Sequence, residues 1–198
     1  MSDLLTREEY DAIAKEISCP SNSWINGKYT GARSGKTYEN FNPATGEKLC
    51  DIAACETEDV DYAVKKSRQA FASGSWSRRH PSERKEVMIK WVKLLKRNRY
   101  ELAVLESLDS GKPVCDCASI DLEETMHCLA WYAEAADKIY DKIAPTQDDA
   151  MGLIVREPVG VAACVLPWNF PMLMLAWKAG PALAAGNSVI VKPAGQTS

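Results

Sequence analysis

An asparagine between two prolines is the residue whose type and position most suggest chemistry. Asn169 lies in residues 167–171 (PWNFP), between an apolar run and a stretch with helical spacing. Its side-chain amide offers two hydrogen-bond donors that carry no charge and do not titrate. Such a group could stabilise a developing oxyanion without exchanging a proton. An asparagine at this point could equally cap the following helix, and spacing alone leaves both roles open.

A lysine after a second apolar run is the other candidate. Lys192 directly follows residues 188–191 (SVIV) and precedes residues 193–196 (PAGQ). A lysine at the end of a strand could supply a point charge to a phosphate or a donor to ribose hydroxyls. It could also simply mark the place where a buried strand reaches solvent. Both interpretations stay open at this point.

The elements that carry these two segments follow a strand–helix–strand pattern. Residues 159–166 form a continuous apolar run, which is typical of a strand covered on both faces. Pro171 suits the first turn of a helix, and Gly186-Asn187 predicts its end. With residues 188–191 as the next strand, the pattern predicts a parallel pair with a right-handed crossover. Ligands bind outside the carboxyl ends of such strands, which is where Asn169 and Lys192 lie.

The rest of the chain predicts helices and a small antiparallel ribbon. The strand-like stretch 24–29 contains a turn signal at residues 26–27, and a second turn signal at 42–46 separates short strands at 37–41 and 48–53. Residues 152–157 are also rich in β-formers. Helices are predicted over residues 6–17, after an N-cap at Thr57, from Pro81, over 100–107 and over 120–140. The last of these is expected to bury Leu122, Leu129, Tyr132, Ala133, Ala136 and Tyr140. The predicted fold class is therefore α/β.

Composition excludes two classes of protein. The 198 residues include 24 Lys plus Arg and 27 Asp plus Glu, which gives a formal charge of −3, and 46% of residues are apolar. This apolar fraction argues against a disordered chain. A chain without a basic excess is also not expected to bind nucleic acid, because it cannot neutralise phosphates.

Cysteine use and the N-terminus favour a cytoplasmic protein. The seven cysteines form no CxxC pair and are accompanied by only two histidines, so no metal site is expected. Cys164, in a predicted buried strand, is interpreted as a core residue. Acidic residues stand where a signal peptide needs an apolar core. Residues 158–177 carry no charge, but prolines interrupt them, so no membrane span is expected.

Several motifs together resemble the aldehyde dehydrogenase superfamily. They are EPVGV at 157–161, PWNFP at 167–171, GPALAAGN at 180–187 and KPAGQTS at 192–198, supported by WING at 24–27, NPATGE at 42–47 and LDSGKP at 108–113. The resemblance covers nearly the whole chain, and its motifs are specific. Residues 131–134 (WYAE) look most like the branch that oxidises amino-aldehydes, such as gamma-glutamyl-aminobutyraldehyde.

The resemblance implies a domain organisation. Residues 1–198 would be the incomplete N-terminal part of an NAD(P)-binding domain with the start of a Rossmann-like parallel sheet, and the catalytic domain would be absent. Residues 142–157 resemble the first part of the arm that pairs subunits, which implies a homo-oligomer for the full-length parent.

The resemblance also implies a reaction and assigns roles to residues. Family members oxidise an aldehyde to a carboxylic acid with NAD, through a cysteine thiohemiacetal whose oxyanion Asn169 would stabilise. Lys192 would bind the adenosine ribose. Asp109 resembles a residue near a monovalent-cation site, although a helix-end carboxylate is the alternative. The positions implied to contact the cofactor are Val165, Leu166, Pro167, Trp168, Lys192, Ala194, Gly195 and Gln196.

Two departures from the family pattern qualify this assignment. The family commonly has Glu where this chain has Gly195, and that carboxylate repels a 2′-phosphate, so NADP is expected as an alternative cofactor. Family chains are also more than twice this length, and the glycine motif, the general-base glutamate and the nucleophilic cysteine match no position in residues 1–198. The alternative to an enzyme is therefore a catalytically inactive fragment that acts at most as an interaction module.

Overall fold

Helices make up nearly half of the described chain, and strands a smaller part. A computed structural model describes residues 4–198. The helices are α1 (Arg7–Glu16), α2 (Thr57–Ser73), α3 (Pro81–Arg97), α4 (Arg99–Ser110), the short α5 (Val114–Asp116), a π-helical turn (Cys117–Asp121), α6 (Leu122–Ala135) and α7 (Pro171–Ala184). The strands are β1 (Ser23–Ile25), β2 (Lys28–Thr30), β3 (Thr37–Phe41), β4 (Lys48–Ala53), β5 (Lys142–Ala144), β6 (Gly152–Ile154), β7 (Val161–Val165) and β8 (Ser188–Lys192).

Helix starts follow local capping rules. Thr6 caps α1, because its hydroxyl accepts from the Glu9 backbone N–H and the Glu9 carboxylate accepts from the Thr6 N–H. The prediction of Thr57 as the N-cap of α2 is wrong by one position. Glu56 occupies that place, because its backbone N–H donates to the Asp59 carboxylate at 2.9 Å and thereby closes the first turn.

Strand pairing divides the sheet residues into four separate pairs. β1–β2, β3–β4 and β5–β6 are antiparallel, and β7–β8 is parallel. The predicted single ribbon near the N-terminus is therefore two hairpins, since β1–β2 forms no ladder with β3–β4. The parallel pair, with α7 between its strands in sequence, confirms the predicted strand–helix–strand unit.

The parallel pair is less covered than the sequence predicts. Cys164 and Leu166 are buried against Ala179 of α7, which confirms Cys164 as a core residue. Val159 and Val165, however, are 89% and 57% exposed. They stay exposed because, within residues 4–198, this sheet has only two strands and leaves its outer edges unpaired.

Helices α3, α6 and α7 pack into the main core. Leu95, Met126, Leu129 and Ala176 form one cluster of this core. A Cβ at Gly180 would lie only 3.2 Å from the Tyr132 ring, so glycine lets α6 and α7 approach closely. Among the described residues, none of the helices is both long and apolar enough to cross a bilayer.

The predicted helix over residues 120–140 is shorter than expected. It begins as the π-helical turn and ends at Ala135, where residues 136–138 form a turn. Tyr140 is 82% exposed, so the prediction that it is buried is wrong. The apolar face of α6 ends near Ala133, and the chain then leaves the core for the β5–β6 hairpin.

Candidate functional site

The carboxyl ends of β7 and β8 bring the two candidate segments together. Val165 pairs with Lys192 in the parallel register, and the Leu166 N–H donates to the Lys192 carbonyl at 2.9 Å. Beyond the strands, the Thr197 hydroxyl donates to the Trp168 carbonyl at 3.3 Å. The prediction that both segments share one sheet edge is confirmed.

Asn169 lies in the turn between β7 and α7. Its side chain is exposed, and within residues 4–198 it makes no hydrogen bond. The N-cap of α7 is Phe170, one residue later, and Asn169 contributes nothing to it. The capping interpretation of Asn169 is therefore wrong, and its two amide donors stay available to a ligand at a helix N-terminus, where partial positive charge favours anions.

Phe170 has an unusual backbone that sets the direction of this turn. Its φ and ψ are 50° and 54°, a left-handed conformation that costs a non-glycine residue about 1–3 kcal/mol. Its carbonyl accepts from the Met174 N–H at 2.8 Å, which starts α7. The Lys112 ammonium lies 4.1 Å from the centre of the Phe170 ring, a cation–π contact that helps to hold the ring in place.

A second lysine, which the sequence analysis missed, lies at the end of β7. Lys178 is the only charged residue of α7, and its ammonium donates to the Val165 carbonyl at 2.6 Å. A single lysine in an otherwise apolar helix is a signal that could have identified it. Its contact ties α7 to the strand end that precedes Asn169.

The end of β8 is open toward solvent. Lys192 is exposed and, among the described residues, forms no salt bridge. A Cβ built at Gly195 meets no atom within 4 Å, and the φ of Gly195 is not in the left-handed region. Gln196 is exposed, whereas the Ala194 carbonyl accepts from the Ser198 hydroxyl at 3.1 Å. This edge therefore presents a cation and free space to an extended polar ligand.

Comparison with known proteins identifies the fold and family. The sequence profile of the aldehyde dehydrogenase family matches residues 29–198. The chain belongs to this family. An aminoacetaldehyde dehydrogenase of Pseudomonas aeruginosa is 54% identical over the whole chain, which spans 40% of that protein. The NADP/NAD-dependent aldehyde dehydrogenase PuuC of Escherichia coli is 44% identical over 91% of the chain and 36% of its own length.

A solved structure supports the same conclusion. The indole-3-acetaldehyde dehydrogenase AldA of P. syringae, a mutant in complex with NAD+, matches with a TM-score of 0.96 and 44% identity, over 98% of this chain and 39% of AldA. The predicted family and α/β fold are confirmed. The chain spans about two fifths of the length of these aldehyde dehydrogenases.

The residues implied to line the cofactor channel differ in exposure. Val165 and Trp168 of this aldehyde dehydrogenase chain are 57% and 60% exposed, whereas the Leu166 side chain packs in the core under α7. Pro167 is half-buried. A nicotinamide nucleotide fits this edge, because exposed apolar groups border the Asn169 turn and the free Lys192 cation lies at the neighbouring strand end.

Four of the seven thiols, two of them buried and two half-buried, are poorly suited to nucleophilic attack. Burial raises the pKa of Cys50 to about 11 and that of Cys117 to about 12, and it also raises the pKa of Cys128 and Cys164. Because their pKa values are raised, these four thiols stay protonated at neutral pH. The attacking form of a thiol is its thiolate. None of them is activated as a nucleophile here.

Asp109 is engaged within the protein. It lies in the last turn of α4, and its carboxylate accepts from the Asn40 side-chain amide. Burial raises its pKa. Within residues 4–198, no cluster of three or more His, Cys, Asp or Glu side chains is arranged to hold a metal ion.

Proposed function

We propose that the full-length protein oxidises an aldehyde to a carboxylic acid with NAD or NADP, and that Asn169 stabilises the oxyanion. The observation that carries this proposal is the exposed Asn169 amide, which has no partner among the described residues and lies at the carboxyl end of a parallel strand pair. Family membership supports the reaction class.

The chemistry follows from what an uncharged donor can do. By resemblance to the aldehyde dehydrogenase family, a cysteine thiolate attacks the aldehyde carbon, and the carbonyl oxygen becomes the oxyanion of a thiohemiacetal. The Asn169 amide donates to this oxygen and stabilises the charge as it forms. Loss of a hydride from the thiohemiacetal carbon, to the acceptor that a bound nicotinamide would supply, would leave a thioester on the cysteine. Water, activated by a glutamate, would then hydrolyse this thioester to the carboxylic acid and the free thiol. By resemblance, none of the seven cysteines matches the family's nucleophile motif, so residues 1–198 alone are not expected to turn over aldehyde.

The cofactor is proposed to bind along the edge formed by β7 and β8. Lys192 would donate to ribose hydroxyls, beside Ala194, Gly195 and Gln196, while Val165, Leu166, Pro167 and Trp168 would border the nicotinamide end. When bound, the nicotinamide supplies the hydride acceptor. The open space at Gly195 removes the like-charge repulsion that a carboxylate would impose on a 2′-phosphate. NADP is therefore proposed beside NAD, in agreement with the name of the PuuC relative.

An amino-aldehyde is the proposed class of substrate. The relative that is 54% identical over the whole chain is named an aminoacetaldehyde dehydrogenase. The residues 131–134 that suggested this branch from sequence lie in α6, with Trp131 exposed and Ala133 buried. They do not contact the Asn169 turn through any hydrogen bond among the described residues.

The β5–β6 hairpin is proposed to pair subunits. Lys142 pairs with Ile154 in this hairpin, and Ile143 and Leu153 are 74% and 63% exposed. Exposed apolar side chains of this kind mark an interaction surface. Residues 142–157 are accordingly proposed as part of an oligomerisation arm, attached to the N-terminal part of the cofactor-binding domain.

A cytoplasmic location is also proposed. The seven free cysteines support a reducing, cytoplasmic location.

Replacement of Asn169 tests the proposed reaction. In the full-length protein, Asn169→Ala is expected to lower kcat by about 100- to 1000-fold, as the loss of one oxyanion donor does elsewhere. Aminoacetaldehyde and propanal, which have equal numbers of heavy atoms but differ in the amino group, serve as paired substrates. Asn169→Asp is the shape-matched variant, because it keeps the size of the side chain and loses its donors.

The outcomes separate the alternatives. A near-normal kcat in Asn169→Ala would show that Asn169 does not stabilise the oxyanion. Equal kcat/KM for the two aldehydes would remove the amino-aldehyde class while leaving the reaction intact. No reduction of NAD or NADP by the full-length protein with either aldehyde would favour the non-catalytic alternative, an interaction module.

A further inference from the structure

Two buried carboxyl groups lie behind the Asn169 turn, and one of them pairs with a lysine. Glu106 of α4 is 4% exposed, and Asp121, at the end of the π-helical turn, is fully buried. The Lys112 ammonium lies 2.6 Å and 2.7 Å from the two Asp121 carboxylate oxygens. If both carboxyl groups were ionised, the cluster would hold two negative charges against one positive charge. Burial makes such an excess charge costly.

Glu106 resolves this imbalance by keeping its proton. Its carboxyl group faces the Asp121 carboxylate, the Lys112 ammonium and the Met172 backbone N–H. Neither oxygen has a hydrogen-bond partner of good geometry among the described residues. Burial, followed by the proximity of Asp121, raises the pKa of Glu106 to about 8. The Cys117 thiol beside the cluster stays protonated as well, because its pKa is raised to about 12.

The cluster contacts two of the three residues that follow Asn169. Lys112 lies over the Phe170 ring at 4.1 Å. Met172, near the start of α7, faces Glu106 with its N–H and packs its side chain against Ala103 and Leu122. The Asn169 turn is therefore bordered from behind by charged groups rather than by a purely apolar core.

Phe170 has a strained backbone conformation that these contacts can stabilise. A non-glycine residue in the left-handed region persists only where its surroundings fix it, and Phe170 has this conformation. Its ring is held by the same ammonium that pairs with Asp121. A negative charge on Glu106 would compete with Asp121 for that ammonium, draw it from the ring and release the turn.

We propose that Glu106, in its protonated form, is a positioning residue for Asn169: with Asp121 and Lys112 it holds Phe170 and the start of α7 so that the amide keeps its catalytic orientation. Glu106 does not touch the substrate. The inference rests on the proposed role of Asn169 and adds to it a buried group that controls its orientation.

The pH profile of Glu106→Gln tests this proposal in the full-length protein. The Gln side chain matches Glu in size, has an N–H that can face the Asp121 carboxylate as the carboxylic acid O–H would, and does not ionise. We expect kcat of the unmodified protein to fall at alkaline pH through a step at about 8. In Glu106→Gln this step should be missing, with kcat at neutral pH within about twofold of the unmodified protein and KM unchanged.

The control is Glu101→Gln, an exposed glutamate on the same helix α4. It should keep the alkaline step, because its side chain is exposed to solvent, whereas that of Glu106 is buried. An identical alkaline step in the unmodified protein and in Glu106→Gln would overturn the proposal. A merely structural role would change stability without removing one ionisation from the kcat profile.

Infrared difference spectroscopy provides a readout that does not depend on activity. The carbonyl stretch of a protonated carboxylic acid should be present at neutral pH, should disappear as the pH rises through about 8, and should be missing in Glu106→Gln. If no such band depends on Glu106, the proposal fails, whatever the kinetics show. If the band behaves as expected but Asn169→Ala retains kcat, the proposed function fails instead, so the two failures are distinguishable.

Discussion

Polar side chains have opposite surroundings at the carboxyl ends of β7 and β8 and in the buried cluster of Glu106, Lys112 and Asp121. At the edge, Asn169 and Lys192 are exposed and, among the described residues, take part in no side-chain hydrogen bond or ion pair. In the cluster, Lys112 and Asp121 are paired at 2.6 Å, and Asp121 is fully buried. The Asn169 amide and the Lys192 ammonium are therefore free to bind a ligand. The paired charges of Lys112 and Asp121 instead stabilise the backbone of the turn that carries Asn169.

The difference shows that a lysine next to the same turn can have either role. Lys192 can be replaced without leaving a buried charge, because nothing in residues 4–198 pairs with it. Lys112 cannot, because Asp121 would then be buried without compensation. Substitution of Lys192 should therefore affect ligand binding, and substitution of Lys112 should affect folding.

The largest expected effect is on stability at Lys112. Lys112→Met in the full-length protein should lower the free energy of unfolding by about 3–5 kcal/mol, the usual cost of removing one partner of a buried ion pair. Urea unfolding at fixed protein concentration measures it. Lys192→Met is the matched control, since it removes an exposed lysine and should change stability by less than about 0.5 kcal/mol. Equal losses in the two variants would break the comparison.

A smaller effect is expected at Gly195, on cofactor choice alone. Gly195→Glu should lower kcat/KM with NADP relative to NAD by about tenfold, or about 1.4 kcal/mol, because a carboxylate repels the 2′-phosphate. The side chain has room, since a Cβ at this position meets no atom within 4 Å. Gly195→Gln, which has the same size without the charge, should keep the original ratio. A ratio that shifts equally in both variants would point to steric exclusion rather than charge.

The smallest expected effect is on stability, in a comparison of alanine substitutions at buried Gly180 and exposed Gly195. Gly180→Ala should destabilise the protein by about 1 kcal/mol, because the new methyl group would lie 3.2 Å from the Tyr132 ring, and overpacking exceeds the gain in helix propensity. Gly195→Ala should leave the melting temperature unchanged. A higher melting temperature for Gly180→Ala would show that Tyr132 moves aside and that α6 and α7 are less tightly packed than the structure indicates.

Local signals in the sequence predicted the elements around the site well. Pro171 marks the start of α7, Gly186-Asn187 follows its end, and the apolar runs on either side form the parallel strands. Prolines, glycines and apolar runs act through sterics and through burial of a single segment, so they can be recognised from neighbouring residues alone. The same signals placed Asn169 and Lys192 at one sheet edge.

Predictions failed where the outcome depended on distant residues. Tyr140 continues the helical spacing of α6, yet it is exposed because the chain leaves the core after Ala135. Asn169 has the residue type of an N-cap, yet Phe170 takes that place in a left-handed conformation. Neither result can be read from spacing, since each is set by what packs against the segment.

The sequence by itself determined the strand–helix–strand unit, the turn that carries Asn169 and the family to which the chain belongs. Only the tertiary structure decided that Glu106 is buried, that it faces Asp121, which pairs with Lys112, and that this lysine also lies over Phe170. The physical reason is that the energy of a charged group depends on its burial and on the charges around it. Those neighbours come from α4, the loop after it, the π-helical turn and the start of α7. Met172 and Phe170 are far from Glu106 in sequence and meet the cluster only in the folded chain.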